Sequence, residues 1–257
     1  MGWYAEERQQ AIAELAREHG RVAVADLARA FEVTSETIRR DLDSLATRGL
    51  LSRVHGGAVP AERVRLVESA VHSRETVLAA EKQRIAEAAL AFLPEGDDVT
   101  VLLDAGTTVG RLATLLPAGR IQTVVTNCMP TATVLGARGG LDLLVLGGRL
   151  RGITQATVGS VTVDALRRLH VDVAFLGANG VTERGCSTPD PAEGEVKRAM
   201  VAAARTVVVL ADSSKIGTDY LVNFAPLADV RALITDTGMP EPAPHWIHES
   251  GIEVVCA

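Results

Sequence analysis

A length of 257 residues suits one large domain or two unequal ones, and a composition that is 47% apolar with few aromatic residues is that of a soluble globular protein. The net charge of −6 excludes a uniformly basic nucleic-acid-binding surface, so any contact with DNA must rely on local clusters of cations. No apolar run approaches the roughly 18 residues of a membrane span, and the N-terminus carries acids where a signal peptide would be apolar. We therefore expect a cytoplasmic protein with no membrane segment.

The cysteines and lysines exclude some sites and suggest another. Cys128, Cys186 and Cys256 show no CxxC spacing, so we expect neither disulfides nor a metal site, and no cofactor. Of the 26 cationic residues only three are Lys, at positions 82, 197 and 215. Because an ammonium is a compact charge on a flexible stem, we expect at least one of these lysines to bind a small anion in a tight pocket.

The first 59 residues predict a winged helix-turn-helix domain. Helices are expected over residues 5–19 and 25–32, and a tight turn at Val33 precedes a third helix from the N-cap Thr34 to about residue 47. Short strands over residues 50–54 and 58–59 then flank a turn at Gly56 and Gly57. This order is that of a recognition helix followed by a wing.

The third helix has one apolar and one polar face. On a helical wheel Ile38, Leu42 and Leu45 fall together and face the core. The opposite face carries side chains that can contact base edges or phosphates, and the hairpin would reach phosphate or the minor groove. The predicted DNA-binding residues are Ser35, Glu36, Thr37, Arg39, Arg40, Arg53 and His55. An isolated helix of this kind would be a solvated surface with ordinary salt bridges, but its place between a tight turn and a basic hairpin favours DNA binding.

Residues 60–80 predict a charged linker with helical character, and residues 81–257 predict an α/β domain. An amphipathic helix is expected at residues 82–93, after which strands and helices alternate. The expected strands are 99–103, 122–126, 141–146, 171–176, 206–210, 232–235 and 253–256. Nearly continuous Val- and Leu-rich strands that alternate with helices predict a largely parallel, Rossmann-like sheet covered on both faces.

Polar and glycine residues follow several of these strands. The first strand ends in Asp104-Ala-Gly-Thr-Thr108, where exposed backbone N–H groups and the positive end of a helix dipole would favour an anion. A simple strand-to-helix turn is the alternative. The carboxyl ends of parallel strands meet in one crevice, and two lysines there would suit a phosphorylated small molecule. The predicted effector-binding residues are Asp104, Gly106, Thr107, Thr108, Thr126, Asn127, Gly148, Asn179, Gly180, Lys197 and Lys215.

The chain resembles the DeoR family of bacterial transcription regulators. In the first domain the resemblance rests on T-I-R-R-D-L and R-V-H-G-G-A. In the second domain it rests on D-A-G-T-T, V-V-T-N, L-G-G, F-L-G-A-N-G, D-S-S-K and the E-x-x-x-K spacing from Glu193 to Lys197. The resemblance spans nearly the whole chain. It implies a winged helix that binds double-stranded operator DNA as part of a homo-oligomer, a dimer or a tetramer, usually as a repressor of a sugar-catabolic operon.

For the second domain, the resemblance implies an effector sensor whose fold is similar to ribose-5-phosphate isomerase, glucosamine-phosphate deaminase and CoA-transferases. It also implies that the effector is a sugar phosphate and that its phosphate lies on the loop Gly106–Thr108. By overall similarity the chain is nearest to fructose-operon repressors, so the first candidate effector is fructose 1-phosphate.

Two other classes of function remain open at this point. A sugar-phosphate isomerase needs a carboxylate base, and the loop that carries acids in the isomerases holds Ala178 and Asn179 here. Asp104 and Glu193 remain as candidate bases, but we expect no enzyme activity. An architectural DNA-binding protein without a ligand is disfavoured by the size of the second domain and its pocket-like loops.

Overall fold

The computed structural model describes residues 5–19, 22–47, 50–54, 56–60, 74–117, 119–239 and 243–257. The chain forms two compact units, Met1–Glu68 and Ser69–Ala257. Residues 61–73, which make up most of the predicted linker, lie outside the described residues.

The first unit contains three helices and a small antiparallel sheet among its described residues. The elements are α1 (Ala5–His19), β1 (Val22–Ala23), α2 (Val24–Ala30), α3 (Ser35–Thr47), β2 (Leu51–Val54) and β3 (Gly57–Pro60). The strand order is β1-β3-β2, and both neighbouring pairs are antiparallel. The core is formed by apolar residues of all three helices, including Ile12, Leu27, Ile38 and Leu42. This is the winged helix-turn-helix that the sequence predicts.

The hairpin differs from the expectation at one glycine. Gly57 was placed in the turn, but it lies in β3, where it pairs with Ala23 and Val54, so this detail of the prediction is wrong. The reason is close backbone packing, because a Cβ at Gly57 would lie 1.9 Å from the carbonyl oxygen of Val22. Gly56, with a φ of 74°, remains in the turn. Strand β1 was not predicted.

The second unit alternates strands and helices around a parallel sheet. Its helices are α4 (Ala79–Ala89), α5 (Thr107–Leu115), α6 (Met129–Arg138), α7 (Ser160–Leu166), α8 (Pro191–Ala203) and α9 (His245–Ser250). Short 3₁₀ turns occur at Leu90–Phe92, Ser213–Lys215 and Leu227–Asp229. Its strands are β4 (Val99–Leu103), β5 (Ile121–Thr126), β6 (Asp142–Val145), β7 (Arg149–Arg151), β8 (Ala156–Val158), β9 (Val171–Gly177), β10 (Gly180–Thr182), β11 (Gly185–Thr188), β12 (Ala204–Leu210), β13 (Val222–Ala225), β14 (Ala232–Thr235) and β15 (Glu253–Cys256).

The main sheet has seven strands in the order β15-β14-β12-β9-β4-β5-β6. Every neighbouring pair is parallel. These are the seven strands that the sequence predicts, with ends that agree to within two residues, so the parallel α/β prediction is confirmed.

Both faces of this sheet are buried against helices. On one face, Leu103 and Phe175 pack with Ile85 of α4 and Leu112 of α5. On the other face, residues of the same strands, among them Leu102 and Leu176, pack with Leu166 of α7 and with Met200 of α8. Burial on both sides explains why these strands are apolar at successive positions instead of alternating.

The chain order within the sheet defines where a ligand crevice lies. The chain begins in the middle with β4 and adds β5 and β6 on one side. It then returns to place β9, β12, β14 and β15 on the other side of β4. The connections after β4 and β9 therefore leave the sheet in opposite directions and open a crevice at the carboxyl ends of these two strands.

Candidate functional site

Helix α3 has an outward polar face, and its apolar face anchors it in the core. Its N-cap prediction is confirmed, because the hydroxyl oxygen of Thr34 accepts the backbone N–H of Thr37 at 3.2 Å. Ile38, Leu42 and Leu45 are each at most 1% exposed and anchor the helix in the core. The face opposite to these residues is consequently turned outward.

The outward face carries the predicted DNA-binding residues of the helix. Ser35, Glu36, Arg39 and Arg40 are exposed and Thr37 is half-buried. An Arg39 Nη1 atom lies 3.5 Å from a Glu36 carboxylate oxygen, and Arg40 Nε lies 3.9 Å from the other oxygen. Exposed ion pairs of this kind contribute about 0–1 kcal/mol, so either guanidinium can exchange Glu36 for a DNA phosphate or base at little cost.

The two predicted wing contacts remain predictions. Arg53 lies on β2, where its backbone pairs with Ala58, and its side chain is not among the described parts of the chain. His55 lies outside the described residues.

A buried ion pair that the sequence analysis missed holds α1 against α3. Arg8 Nε donates to an Asp41 carboxylate oxygen at 2.6 Å, and a second guanidinium nitrogen reaches the other oxygen at 3.3 Å. Gln9 Nε2 also donates to an Asp41 carboxylate oxygen, at 3.0 Å. The signal was available, since Asp41 falls only about 60° from Ile38 on the helical wheel, on the core side. This pair fixes the position of the recognition helix.

In the second unit, Asp104 and Lys197 meet at the crevice between β4 and β9. Asp104 follows β4 and is 2% exposed, and one carboxylate oxygen accepts hydrogen bonds from Lys197 Nζ and from the backbone N–H of Gly177, the latter at 3.0 Å. Lys197 Nζ also donates to the Gly177 carbonyl at 2.9 Å and lies 5.2 Å from the centroid of the Phe224 ring. The structure thus brings two predicted site residues together, but their opposite charges compensate each other.

The loop after Asp104 begins helix α5 beside a cavity of about 340 Å³. Gly106 has a φ of 153°, a conformation that favours glycine, and it precedes the first turn of α5. The first turns of both α5 and α6 line the cavity, through Gly106 and Thr107 on α5 and Thr131 on α6. Thr108 is buried on the other side of the loop. Two helix N-termini therefore point their positive ends toward one space.

Three cations, Lys215, Arg74 and Arg111, surround Lys82, and the predicted effector-binding residues include only one of these four, Lys215. Lys82 is 5% exposed, and its Nζ donates to the carbonyls of Arg74 and Val77, both at 2.7 Å. Burial lowers the pKa of Lys82, the charge of Asp212 opposes this effect, and the charges of Lys215, Arg74 and Arg111 lower it further. Lys215, Arg74 and Arg111 therefore lie near enough to Lys82 for their charges to act on it, as does the carboxylate of Asp212.

The signal for this cluster was partly visible in the sequence. Lys82 is one of only three lysines, and the sequence analysis places it at the start of an amphipathic helix but not among the effector-binding residues. Hydrogen bonds of the residues before Lys215 in the D-S-S-K motif hold the loop that carries this lysine. Asp212 accepts a hydrogen bond from the Ser214 hydroxyl, and Ser213 is bound by Asp236, which follows β14.

Asp236 is a second residue that the sequence analysis missed. Its carboxylate accepts the backbone N–H of Ser213 at 2.7 Å, the Ser213 hydroxyl at 2.9 Å and the backbone N–H of Gly238 at 2.8 Å. Burial raises the pKa of Asp236, but the hydrogen bonds from Ser213 and Gly238 outweigh burial and hold the pKa below its ordinary value. Asp236 therefore anchors the loop that carries Lys215.

Thr126 and Asn127 lie at the carboxyl end of β5, as predicted, and are both buried. The Thr126 hydroxyl donates to the Leu103 carbonyl at 2.8 Å and accepts the backbone N–H of Cys128 at 3.1 Å. Asn127 Nδ2 donates to the Thr157 carbonyl at 3.1 Å, whereas its Oδ1 has no partner among the described residues. These contacts give Thr126 a structural task and leave one polar atom of Asn127 unused.

The remaining predicted residues make close contacts within the protein. A Cβ at Gly148 would lie 2.2 Å from the Thr162 hydroxyl oxygen, and a Cβ at Gly180 would lie 2.1 Å from the Thr218 carbonyl oxygen. Asn179 Oδ1 accepts a hydrogen bond from the hydroxyl of Thr188 at 3.1 Å. Packing alone therefore accounts for both glycines, and a role of these three residues in effector binding remains a prediction.

Glu193, one of the two candidate bases, is held by neighbours from the hairpin β7–β8. Arg151 Nη1 lies 3.1 Å from a Glu193 carboxylate oxygen, and the Thr154 hydroxyl donates to the same oxygen. Arg151 Nε also pairs with Asp190 at 3.1 Å. Glu193 is thus engaged in joining the hairpin to the start of α8.

Burial raises the pKa of the Cys186 thiol to about 12, against a smaller opposing effect of Lys197. All three cysteines are free thiols. In the part of the chain that the structure describes, no three His, Cys, Asp or Glu side chains are placed to hold a metal ion. No described helix is long and apolar enough to cross a membrane.

Comparisons with known proteins agree with this two-part organisation. The family model of the DeoR-like helix-turn-helix domain matches residues 8–64, and that of the DeoR C-terminal sensor domain matches residues 78–237. The chain is 32% identical over 252 residues to the HTH-type transcriptional repressor GlcR of Bacillus subtilis, covering 98% of this chain and 96% of that protein. It is 36% identical over 231 residues to the uncharacterized HTH-type transcriptional regulator FruR of Bacillus subtilis, covering 90% of each.

Two further matches are more varied in kind. The chain is 32% identical over 236 residues to the glycerol-3-phosphate regulon repressor of Escherichia coli K12, covering 91% of this chain and 92% of that protein. Among solved structures, ribose 5-phosphate isomerase A of Neisseria gonorrhoeae is 20% identical over 53% of each chain, with a TM-score of 0.37. From the two family matches and the nearly full-length relatives, the chain belongs to the DeoR family of helix-turn-helix transcriptional regulators.

Proposed function

We propose that this regulator represses a sugar-catabolic operon and that a phosphorylated sugar, bound in the second unit, controls its affinity for operator DNA. The observation that carries the proposal is the group of cations around Lys82, where the charges of Lys215, Arg74 and Arg111 act together and the nearby carboxylate of Asp212 opposes them. The names of two relatives, a glycerol-3-phosphate regulon repressor and a lactose phosphotransferase system repressor, support a link to phosphorylated metabolites.

A phosphate group fits this charge distribution. A dianion would pair with these cations and would accept hydrogen bonds from backbone N–H groups at the start of α5, near Gly106 and Thr107. Each hydrogen bond to a charged group contributes about 1.5–3 kcal/mol. We place the phosphate at the loop Gly106–Thr108, within reach of Arg111 and Lys215, while Lys197 stays paired with Asp104.

The sugar would then meet buried polar atoms near the cavity. Asn127 Oδ1 and Thr131 Oγ1 are both buried and have no partner among the described residues. A buried polar atom without a partner costs about 1–3 kcal/mol, which a ligand hydroxyl group would recover. We also assign Asp104, Asn179 and the neighbouring loops to effector binding.

The first candidate effector is fructose 1-phosphate, and a thermal-denaturation screen tests it. The full chain is heated with fructose 1-phosphate, glucose 6-phosphate, glycerol 3-phosphate and the unphosphorylated sugars. A ligand that binds only the folded protein raises its stability by about 2.7 kcal/mol at a hundredfold excess over Kd, so the midpoint must rise. A rise with phosphorylated but not with free sugars supports the proposal, and no rise with any of them contradicts it.

An isomerase with the same pocket is the competing function. The candidate base Asp104 accepts hydrogen bonds from Lys197 and Gly177, and Glu193 is bound by Arg151 and Thr154. Carboxylates engaged in this way are poorly placed to remove a proton from a substrate. Incubation with ribose 5-phosphate and fructose 6-phosphate discriminates the two functions, because turnover that is lost in Asp104→Ala would establish an enzyme.

Control of DNA binding requires more than one copy of the chain. Helix-turn-helix proteins bind repeated half-sites as symmetric oligomers, and we expect a dimer or tetramer assembled through the second unit. The phosphosugar must bind one arrangement of the recognition helices more tightly than the other, because equal affinity would shift nothing.

A further inference from the structure

A five-residue segment at the start of the second unit is held by two cationic side chains. The segment Arg74–Leu78, here called the connector, comes between the helix-turn-helix domain and helix α4 in chain order. Lys82 Nζ donates to two of its carbonyls, those of Arg74 and Val77, at 2.7 Å each. Arg111 Nη2 donates to a third, that of Glu75, at 3.2 Å. Side-chain donors therefore hold three of the five carbonyl groups of the connector.

The connector has a conformation that is costly to maintain. Leu78 has φ 51° and ψ 43°, in the left-handed region, which costs a bulky residue about 1–2 kcal/mol. A strained residue keeps this geometry only while surrounding contacts enforce it. The carbonyl contacts of Lys82 and Arg111 are such contacts, so their loss would free the connector to relax.

The same two cations belong to the region assigned to the effector. Arg111 lies one turn after Thr107 on the same face of α5, and both line the cavity beside Gly106. Lys82 lies close enough to Lys215 for their charges to interact. It makes no ion pair in the part of the chain that the structure describes. Each cation would gain more from an anion than from a neutral carbonyl, since charge-assisted bonds between ions are the stronger ones.

We propose that Lys82 and Arg111 exchange the connector carbonyls for the anionic group of the effector, so that occupancy of the sensor site releases the connector. This inference rests on the proposed function, because it requires an anion to enter the cation cluster. The inference also names the segment that responds to the effector. This segment is the connector, which joins the sensor along the chain to the DNA-binding domain.

Hydrogen exchange of the full chain, read by mass spectrometry over residues 74–82, tests the inference. Arg111→Gln is the informative variant, because Arg111 is half-buried and the fold should tolerate its loss. Arg120→Gln is the matched control, since Arg120 is exposed and also donates to a backbone carbonyl, that of Pro94 at 2.9 Å. Lys82→Met is a second variant that removes the other cation. Inorganic phosphate and fructose 1-phosphate are the probes.

Without any probe, connector amides should exchange about tenfold faster in Arg111→Gln than in the parent and in Arg120→Gln, because a hydrogen bond to a charged group is lost. Each probe should accelerate the same amides in the parent and in Arg120→Gln, but not in Arg111→Gln. Equal exchange in all unliganded proteins, or protection of the connector by the probes, overturns the inference.

The failure of the inference can be told apart from the failure of the proposed function. If the probes raise the denaturation midpoint of the parent while connector exchange stays constant, the sensor binds phosphate but the connector is not its output. If neither probe changes the midpoint or the exchange of the parent, sugar-phosphate control itself is wrong, and the anion-driven step falls with it.

Discussion

Replacing Asp41 with Ala removes one half of the buried ion pair between α1 and α3. The remaining guanidinium of Arg8 would be left in a site where its side chain is only 9% exposed, with two of its hydrogen bonds unmade. Breaking a buried pair in this way costs about 3–5 kcal/mol, because the surviving guanidinium stays desolvated after it has lost its carboxylate. The first unit, Met1–Glu68, is small, and a single core of this size rarely supplies more than about 3–5 kcal/mol.

The expected loss therefore equals the stability available to the helix-turn-helix domain. Asp41→Ala should abolish its cooperative unfolding transition in calorimetry, and operator binding with it, while the transition of the second unit is retained. Asp43→Ala is the matched control, because Asp43 is an exposed acid on the same helix and its loss should change stability by no more than about 0.5 kcal/mol.

A double replacement separates lost charge from lost shape. Arg8→Met combined with Asp41→Leu removes both charges and fills similar volume, which is often neutral or stabilising for a buried pair. We expect this variant to regain a transition near that of the parent. If Asp41→Ala and Asp43→Ala unfold alike, the pair does not hold the recognition helix and the reasoning is refuted.

Three further predictions concern the outward face of α3, the loop of Lys215 and the contacts of Asp236. Arg39→Ala and Arg40→Ala should each weaken operator binding by about 1–3 kcal/mol if the side chain reads a base, measured by fluorescence anisotropy; unchanged affinity in both would indicate a solvated surface. Lys215→Ala should keep operator affinity but reduce the response to phosphosugar, and persistence of both would place the site elsewhere. Asp236→Asn should lower the stability of the second unit to urea at pH 7. The lowered pKa of Asp236 contributes stability that is lost as the pH falls through that pKa, so the difference in stability between parent and variant should shrink below about pH 4. A difference that stays constant with pH would contradict this prediction.

The sheet could be predicted from the sequence because burial on both faces leaves a plain signal. Strand β9, for example, is an almost unbroken apolar run. The hairpin β7–β8 and the small sheet β10-β11-β13 could not be predicted in the same way. Their strands have only three or four residues each, and partners such as Ser187 and Asn223 are distant in the sequence.

The candidate sites show a similar division. The outward face of α3 and the loop at Gly106 were predictable because each lies within one local motif. Lys197 is expected to bind the anion, but Asp104 compensates its charge, and this pair joins helix α8 to the residue after β4, two positions that are 93 residues apart in the sequence. Lys82 is named among the three candidate lysines but not among the predicted effector-binding residues, because its neighbours Arg111 and Lys215 come from separate elements.

Operator binding by the full chain, with and without phosphosugars, tests the central claim most directly. Labelled DNA from the region upstream of the gene that encodes this chain is titrated with the protein at modest salt. The panel of sugar phosphates is then added. We predict specific retention of this DNA and a loss of affinity of roughly 5–150-fold with at least one phosphorylated sugar, the usual range of coupling between two sites. No retention, with or without metabolites, would contradict the account.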